Sequence, residues 1–97
     1  MFQIELTDAA RTDLREFRKM DQTMLIEAIE TQLRFEPDVP TTNRKRLRTN
    51  PYVEWELRVG DFRVFYDLDA ASRQVVVKAI GRKDRSQLSI GGEEFKL

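Results

Sequence analysis

The sequence predicts an α+β domain in which an antiparallel sheet carries an N-terminal helical hairpin on one face. Three observations indicate this class: an alternating segment leads directly into two helical patterns, a β-hairpin lies near the middle of the chain, and a mostly apolar strand follows it. The predicted order is β-α-α-β-β-β in a single domain spanning residues 1–97, since a chain of this length supports one modest core.

Periodicity and capping residues define the first three elements. Residues 2–6 alternate between apolar and polar side chains, as a half-buried strand does. Thr7 is a suitable N-cap for a first helix that ends near Lys19, and Asp21 is the expected cap of a second helix. Pro37 ends this second helix, so the two helices form a hairpin with a very short joint.

The second half of the chain alternates strands with charged connections. Residues 37–51 contain all three prolines and predict an extended connection that carries the basic run 44–48. After the hairpin, residues 75–80 predict a central strand, and residues 81–85 leave it as a basic turn. The tail beyond Gly91-Gly92 receives no assignment.

The segment 55–66 predicts a β-hairpin whose side chains can be assigned to faces. Gly60-Asp61 is a two-residue loop with glycine where a type II′ turn requires it, so Val59 is expected to pair with Phe62. Counting outward assigns one face to the core and opposes Arg58 to Arg63 on the other, where like charges destabilise unless an anion or carboxylate lies between them. The predicted core face comprises Trp55, Leu57, Val59, Phe62, Val64 and Tyr66, and the second face comprises Glu54, Glu56, Arg58, Arg63, Phe65 and Asp67.

Composition narrows the chemistry that is available to the chain. It contains no cysteine and no histidine, which excludes disulfides, thiolate zinc sites and the usual acid–base residue at neutral pH. We therefore expect no metal site and no cofactor. The net charge is zero, yet residues 1–43 carry 5 Lys/Arg against 9 Asp/Glu and residues 44–85 carry 11 against 6. With no signal peptide or membrane span evident, a cytoplasmic protein is expected.

Four features occur in a characteristic order: the strand-helix-helix opening, the basic loop 44–48, the hairpin 56–66 and the basic turn 80–85. In this combination the chain resembles the RelE/ParE superfamily of toxins from bacterial type II toxin–antitoxin systems. The hairpin pattern Arg-x-Gly-x-aromatic-Arg-Val-x-Tyr carries most of the resemblance, which extends over nearly the whole chain. It implies the fold given above and a cognate antitoxin as partner.

The resemblance implies alternative activities. Toxins similar to RelE cut mRNA in the ribosomal A site. This activity is the main expectation here, and it implies the ribosome and mRNA as partners. Toxins similar to ParE inhibit DNA gyrase without nucleolytic chemistry, and a degenerate paralogue would only bind antitoxin. Arg63 matches a phosphate-contacting arginine of RelE, and Lys83 lies near the position of a second one. Glu54 and Glu56 replace paired lysines of RelE, and Ser89 lies near the position of its late tyrosine.

RNA cleavage through the 2′-hydroxyl requires a base, positive charge for the phosphorane and an acid for the leaving oxygen. Because histidine is absent, the base must be a carboxylate or a lysine with a lowered pKa. Glu56 is the better geometric candidate, since it lies diagonal to Arg63 on the second face. Alternatively, Glu56 only forms a surface salt bridge with the two hairpin arginines. The predicted catalytic residues are Arg63, Lys83, Glu56 and Arg58.

Other basic side chains and one aromatic are candidates for contact with RNA. The loop 44–48 is expected to bind nucleic acid or antitoxin, or else to be a solvated loop. Phe65 shares the face of Arg63 and is either an exposed stacking platform or the cover of a second small core. The predicted RNA-binding residues are Arg44, Lys45, Arg46, Arg48, Arg82, Arg85 and Phe65.

Overall fold

Two helices and seven strands make up the fold in the computed structural model, which describes residues 1–48 and 50–95. The elements are β1 (Gln3–Leu6), α1 (Asp8–Arg15), α2 (Lys19–Leu33), β2 (Arg44–Arg46), β3 (Trp55–Val59), β4 (Phe62–Asp69), β5 (Gln74–Asp84), β6 (Gln87–Ile90) and β7 (Glu93–Phe95). The α+β class and the strand-helix-helix order of the opening are confirmed, but α1 ends at Arg15 and not near Lys19. Strands β2, β6 and β7 were not predicted, because all three are short, and β2 and β7 also lack an apolar alternation.

Strand β5 is central in the sheet, as predicted. The strands follow the order β2-β3-β4-β5-β6-β7 with antiparallel neighbours, and β1 pairs in parallel with the first part of β5. The β3–β4 hairpin has the predicted register, with Val59 opposite Phe62 and Arg58 opposite Arg63. Gly60 has a φ of +57°, which the turn demands and glycine adopts without strain.

A side-chain hydrogen bond caps the start of α1 but not the start of α2. The Oγ1 of Thr7 accepts a hydrogen bond from the Ala10 N–H at 3.1 Å, which confirms this residue as the N-cap of α1. The prediction that Asp21 caps α2 is wrong, because this helix already begins at Lys19. Asp21 instead lies in the first turn, where its carboxylate is 3.4 Å from the Arg18 Nε and favours the positive end of the helix dipole.

Polar side chains of the α1 region fill the gap between β1 and β6 along β5. Thr7 donates from its hydroxyl to the Lys78 carbonyl, and Asp13 accepts a hydrogen bond from the buried Ile80 N–H at 3.0 Å. Burial raises the pKa of the Asp13 carboxyl, although the hydrogen bond from Ile80 acts in the opposite direction. This carboxylate therefore substitutes for a missing strand partner at the middle of β5.

The helices cover one face of the sheet and enclose the main core. Leu25, Ile29 and Leu33 of α2 are almost fully buried there with the predicted core residues of the hairpin. Tyr66 lies among them and donates from its hydroxyl to the Pro37 carbonyl at 2.7 Å. Burial raises the pKa of this phenol far above its usual value, so the hydroxyl stays a donor.

A second, smaller core lies on the opposite face. Phe65 is 1% exposed and packs with Val53 and Leu88, flanked by Leu47, Ala79 and Ile90. Of the two alternatives for Phe65, the structure supports the second core, and the exposed stacking platform is wrong. The physical reason is that the β2–β3 connection and β6 both fold over this ring.

The C-terminal hairpin closes against β5 at a glycine. A Cβ on Gly81 would lie 2.6 Å from the Ser89 carbonyl oxygen and 2.8 Å from the Ile90 Cγ1, so only glycine permits this approach. Gly91 and Gly92, with φ of +60° and +81°, form the turn between β6 and β7. Within residues 1–48 and 50–95, no helix has both the length and the apolar composition to cross a membrane.

Candidate functional site

A cavity of about 460 Å³ opens on the face of the sheet opposite the helices. It lies where the β3–β4 hairpin meets the far end of β5 and the C-terminal hairpin. Its lining residues are Glu56, Arg63, Lys83, Ser86, Gln87, Leu88, Glu94 and Phe95. Three of the four predicted catalytic residues therefore meet in one place, and two of them are cations.

Arg63 is the most constrained charged side chain of the cavity. It is 8% exposed, and its Nη1 donates to the Gly60 carbonyl at 2.8 Å and to the Phe62 carbonyl at 2.9 Å. A guanidinium has five N–H donors, so these two bonds fix its orientation and still leave donors on Nε and Nη2. Arg63 therefore has a fixed orientation and the free donors that bidentate phosphate recognition requires.

Arg58 lies directly opposite Arg63, as predicted, but does not line the cavity. Its side chain is exposed, and its backbone N–H donates to the Asn43 carbonyl at 2.7 Å. Arg58 therefore adds positive charge at the edge of the site and does not face the enclosed space.

Glu56 is half-buried in the cavity wall, between Lys45 on β2 and Phe65 on β4. Within the part of the chain that the structure describes, none of the ion pairs within 4.0 Å involves Glu56. The alternative in which this carboxylate is only the partner of Arg58 and Arg63 is not supported. A carboxylate in this position can accept a proton from a bound group.

Glu54 is separated from Glu56 although the alternation assigns both to the second face. Its Oε1 accepts a hydrogen bond from the Leu68 N–H at 3.3 Å, and its Oε2 lies 3.9 Å from the Arg46 guanidinium. The alternation fails here because β3 begins only at Trp55. The cavity therefore contains one of the two adjacent glutamates.

Lys83 approaches the cavity from the end of β5. Its backbone N–H donates to the Asp61 carbonyl at 2.7 Å, which ties this strand end to the turn of the β3–β4 hairpin. The Lys83 side chain is exposed, whereas the guanidinium of Arg63 is buried and held by two backbone carbonyls. The site thus combines a buried cation with an exposed one.

The basic run divides between the two faces of the sheet. Arg44 is 9% exposed, and its guanidinium donates to the Gln32 carbonyl at the end of α2 and to the Val39 carbonyl at 3.0 Å. Arg46 lies with its Cζ 6.0 Å from the centre of the Trp55 ring on the helical side. Lys45 and Arg48 are exposed, and Lys45 lies opposite Glu56 of the cavity wall in the β2–β3 register. For Arg44, the burial of its guanidinium against backbone carbonyls corrects the prediction of an RNA contact.

Two further predicted RNA contacts lie away from the cavity lining. Arg82 stacks with its Cζ 5.5 Å from the centre of the Phe62 ring, and thus extends over the helical side. Arg85 is exposed in the turn between β5 and β6, with a φ of +59°. The structure does not bring either residue to Arg63.

Sequence reasoning missed the contribution of the C-terminal hairpin to the site. Glu94 and Phe95 of β7 line the cavity, and Phe95 is 44% exposed. The glycine pair at positions 91 and 92 was the signal that could have revealed a hairpin in the tail. Among the described residues, no three acidic side chains cluster in a way that could hold a metal ion. The charged residues that line the cavity are two cations and two carboxylates.

Comparison with known proteins agrees with this architecture. The family described as ParE toxin of type II toxin–antitoxin system, parDE, matches residues 4–87. No curated protein sequence matches the chain.

Solved structures match over most of their length. The toxin–antitoxin complex RelBE2 from Mycobacterium tuberculosis contains a chain of TM-score 0.74 and 23% identity, with 84% of this chain and 98% of that chain covered. An archaeal RelE–RelB complex from Pyrococcus horikoshii has a TM-score of 0.69 and 18% identity, with 87% of this chain and 97% of that chain covered. The isolated RelE toxin of E. coli has a TM-score of 0.70 and 17% identity, with 89% of this chain and 88% of that chain covered. At these identities the likeness shows the fold, and the matched family spans most of the sequence. The chain therefore belongs to the ParE toxin family of type II toxin–antitoxin systems, within the RelE/ParE superfamily.

Proposed function

We propose that this protein inhibits translation by cutting mRNA bound to the ribosome. The observation that carries the proposal is the cavity in which Arg63, Lys83 and Glu56 meet. A cavity that places a carboxylate beside two cations contains the groups that cleavage of RNA through its 2′-hydroxyl requires.

The reaction would divide between these three side chains. Glu56 takes the proton of the 2′-hydroxyl, and the 2′-oxygen then attacks the adjacent phosphorus. Arg63 stabilises the charge on the phosphorane oxygens through its remaining N–H donors. The bond between phosphorus and the 5′-oxygen breaks as Lys83 donates a proton to that oxygen. The products are a 2′,3′-cyclic phosphate and a 5′-hydroxyl end.

The proposed partners follow from the similarity to toxin–antitoxin structures. Two of the similar structures are complexes of a toxin with its antitoxin, and we propose that a cognate antitoxin holds this chain inactive. An acidic or amphipathic antitoxin segment would complement the basic half of the chain. Cleavage on ribosomes would make the cytoplasm the site of action.

Inhibition of DNA gyrase without chemistry is the second candidate. The match to the ParE family favours it, as do Glu54 and Glu56, which replace the paired lysines of RelE in the resemblance described above. In that case, the cavity would bind a protein surface and its carboxylates would have no proton to transfer.

Induction of the chain alone in bacteria distinguishes these functions. We expect incorporation of labelled amino acids to stop within minutes and new 5′ ends to appear inside translated messages. Arg63→Ala should abolish both effects, while Arg11→Ala, at an exposed arginine of α1, serves as control. Co-purification of Arg63→Ala with the antitoxin would show that this variant still folds. A DNA damage response with intact mRNA would favour gyrase inhibition, and normal growth would indicate a degenerate toxin.

A further inference from the structure

The connection between β2 and β3 crosses the face that contains the cavity. Leu47 and Val53 both pack in the second core around Phe65, and Val53 is 8% exposed. Because apolar burial stabilises each contact, the two ends of the segment are anchored on this face. Arg48 and Tyr52, which are next to these anchors, are exposed and are therefore presented outward from a fixed base.

Tyr52 is the residue that this base presents. Its side chain is 82% exposed, although it directly precedes the buried Val53. The backbone around it is ordered by a hydrogen bond of 2.8 Å from the Tyr52 N–H to the Asn50 Oδ1, and Pro51 restricts φ between them. The aromatic ring contributes little to folding at this exposure, so both of its faces are available to a ligand.

Two exposed cations precede this ring along the chain. Lys45 and Arg48 are exposed, and they lie on the strand and loop that lead to the Tyr52 segment. Lys45 pairs with Glu56 across β2 and β3, and neighbouring strands are about 4.8 Å apart. Lys45 therefore places positive charge beside the cavity wall, at the start of the connection that presents Tyr52.

We propose that Tyr52 is a stacking platform for a base of single-stranded RNA beside the cleaved nucleotide, with Lys45 and Arg48 on the flanking phosphates. This inference rests on the proposed function and adds a contact outside the cavity. An exposed aromatic ring among cations is the arrangement by which proteins hold unpaired RNA, because every base has a face that can stack. Phe65, which is buried, cannot serve in this role.

The test measures binding of an oligoribonucleotide with 2′-O-methyl sugars, which blocks attack by the 2′-hydroxyl. Stacking of one base contributes about 1 to 3 kcal/mol, so Tyr52→Ala should weaken binding by roughly 5- to 150-fold. Tyr52→Phe should bind within about twofold of the unmodified protein, since the ring and not the hydroxyl provides the contact. Phe35→Ala is the matched control, because Phe35 is also an exposed aromatic residue, at 67%, in the connection after α2.

Each result decides the inference separately from the proposed function. Equal affinity of Tyr52→Ala and the unmodified protein would overturn it, as would failure of the unmodified protein to bind the oligoribonucleotide. Loss of antitoxin binding with unchanged RNA affinity would instead assign Tyr52 to the antitoxin interface and overturn it too. Binding that depends on Tyr52 without cleavage on ribosomes would support the stacking contact and contradict the proposed function.

Discussion

Arg44→Met tests whether the first cation of the basic run holds the fold or contacts RNA. Methionine keeps most of the apolar length of the arginine stem but removes the donors to the Gln32 and Val39 carbonyls. Hydrogen bonds from a charged group contribute about 1.5 to 3 kcal/mol each, which gives a maximum of about 6 kcal/mol for the pair. The connection after α2 is partly exposed, so water replaces part of this loss, and we expect the free energy of unfolding to fall by about 2 to 4 kcal/mol.

Urea unfolding followed by Trp55 fluorescence measures this change, because Trp55 is 3% exposed in the folded protein and becomes solvated on unfolding. Lys45→Met is the matched control at the next residue, and its exposed side chain should change stability by no more than about 0.5 kcal/mol. The order of effects should reverse for RNA, since Lys45→Met should lower affinity more than Arg44→Met does. An Arg44→Met variant of unchanged stability but weakened RNA binding would refute the structural role of Arg44.

Two further predictions concern the packing around β5. Asp13→Asn keeps an acceptor for the Ile80 N–H but cannot ionise. Because burial raises the pKa of the Asp13 carboxyl above 3.8, the native state binds a proton at this carboxyl more tightly than the unfolded chain does. The stability of the unmodified protein relative to Asp13→Asn should therefore increase as the pH falls from neutral through the raised pKa toward 3.8, and a difference in unfolding free energy that is independent of pH would contradict this. Gly81→Ala should lower the unfolding free energy by about 1 to 3 kcal/mol, because its Cβ meets the Ser89 carbonyl oxygen of β6; an unchanged urea midpoint would show that β6 can move away without cost.

Local patterns were sufficient to predict the parts of the fold whose signals are local. The register of the β3–β4 hairpin follows from the turn chemistry of Gly60-Asp61 and from the alternation on either side, and both faces came out as predicted between Trp55 and Tyr66. Thr7 was recognisable as a cap because its hydroxyl acts on the helix that directly follows it. The same reasoning failed for Glu54, where the strand had not yet begun.

Tertiary contacts decided the remaining features of the site. Nothing in the run 44–48 reveals that Arg44 meets the end of α2, since that contact joins residues far apart in the chain. Side chains alternate between the two faces of a strand, so Arg44 and Lys45 could have been assigned to opposite faces if β2 had been recognised. The segment is too short and too polar to be recognised as a strand. The same limitation applies to β7, whose residues Glu94 and Phe95 reach the cavity only through pairing with β6.

Single-turnover cleavage of mRNA on purified ribosomes tests the role of the cavity most directly. If Glu56 is the general base, Glu56→Gln should lower the rate constant by about 10²- to 10⁴-fold without loss of ribosome binding in co-sedimentation. Glu54→Gln is the matched control, because Glu54 is a neighbouring glutamate whose carboxylate bonds outside the cavity, and it should cleave at the unmodified rate. Cleavage by Glu56→Gln at the unmodified rate would contradict the assignment of the base and with it the proposed mechanism.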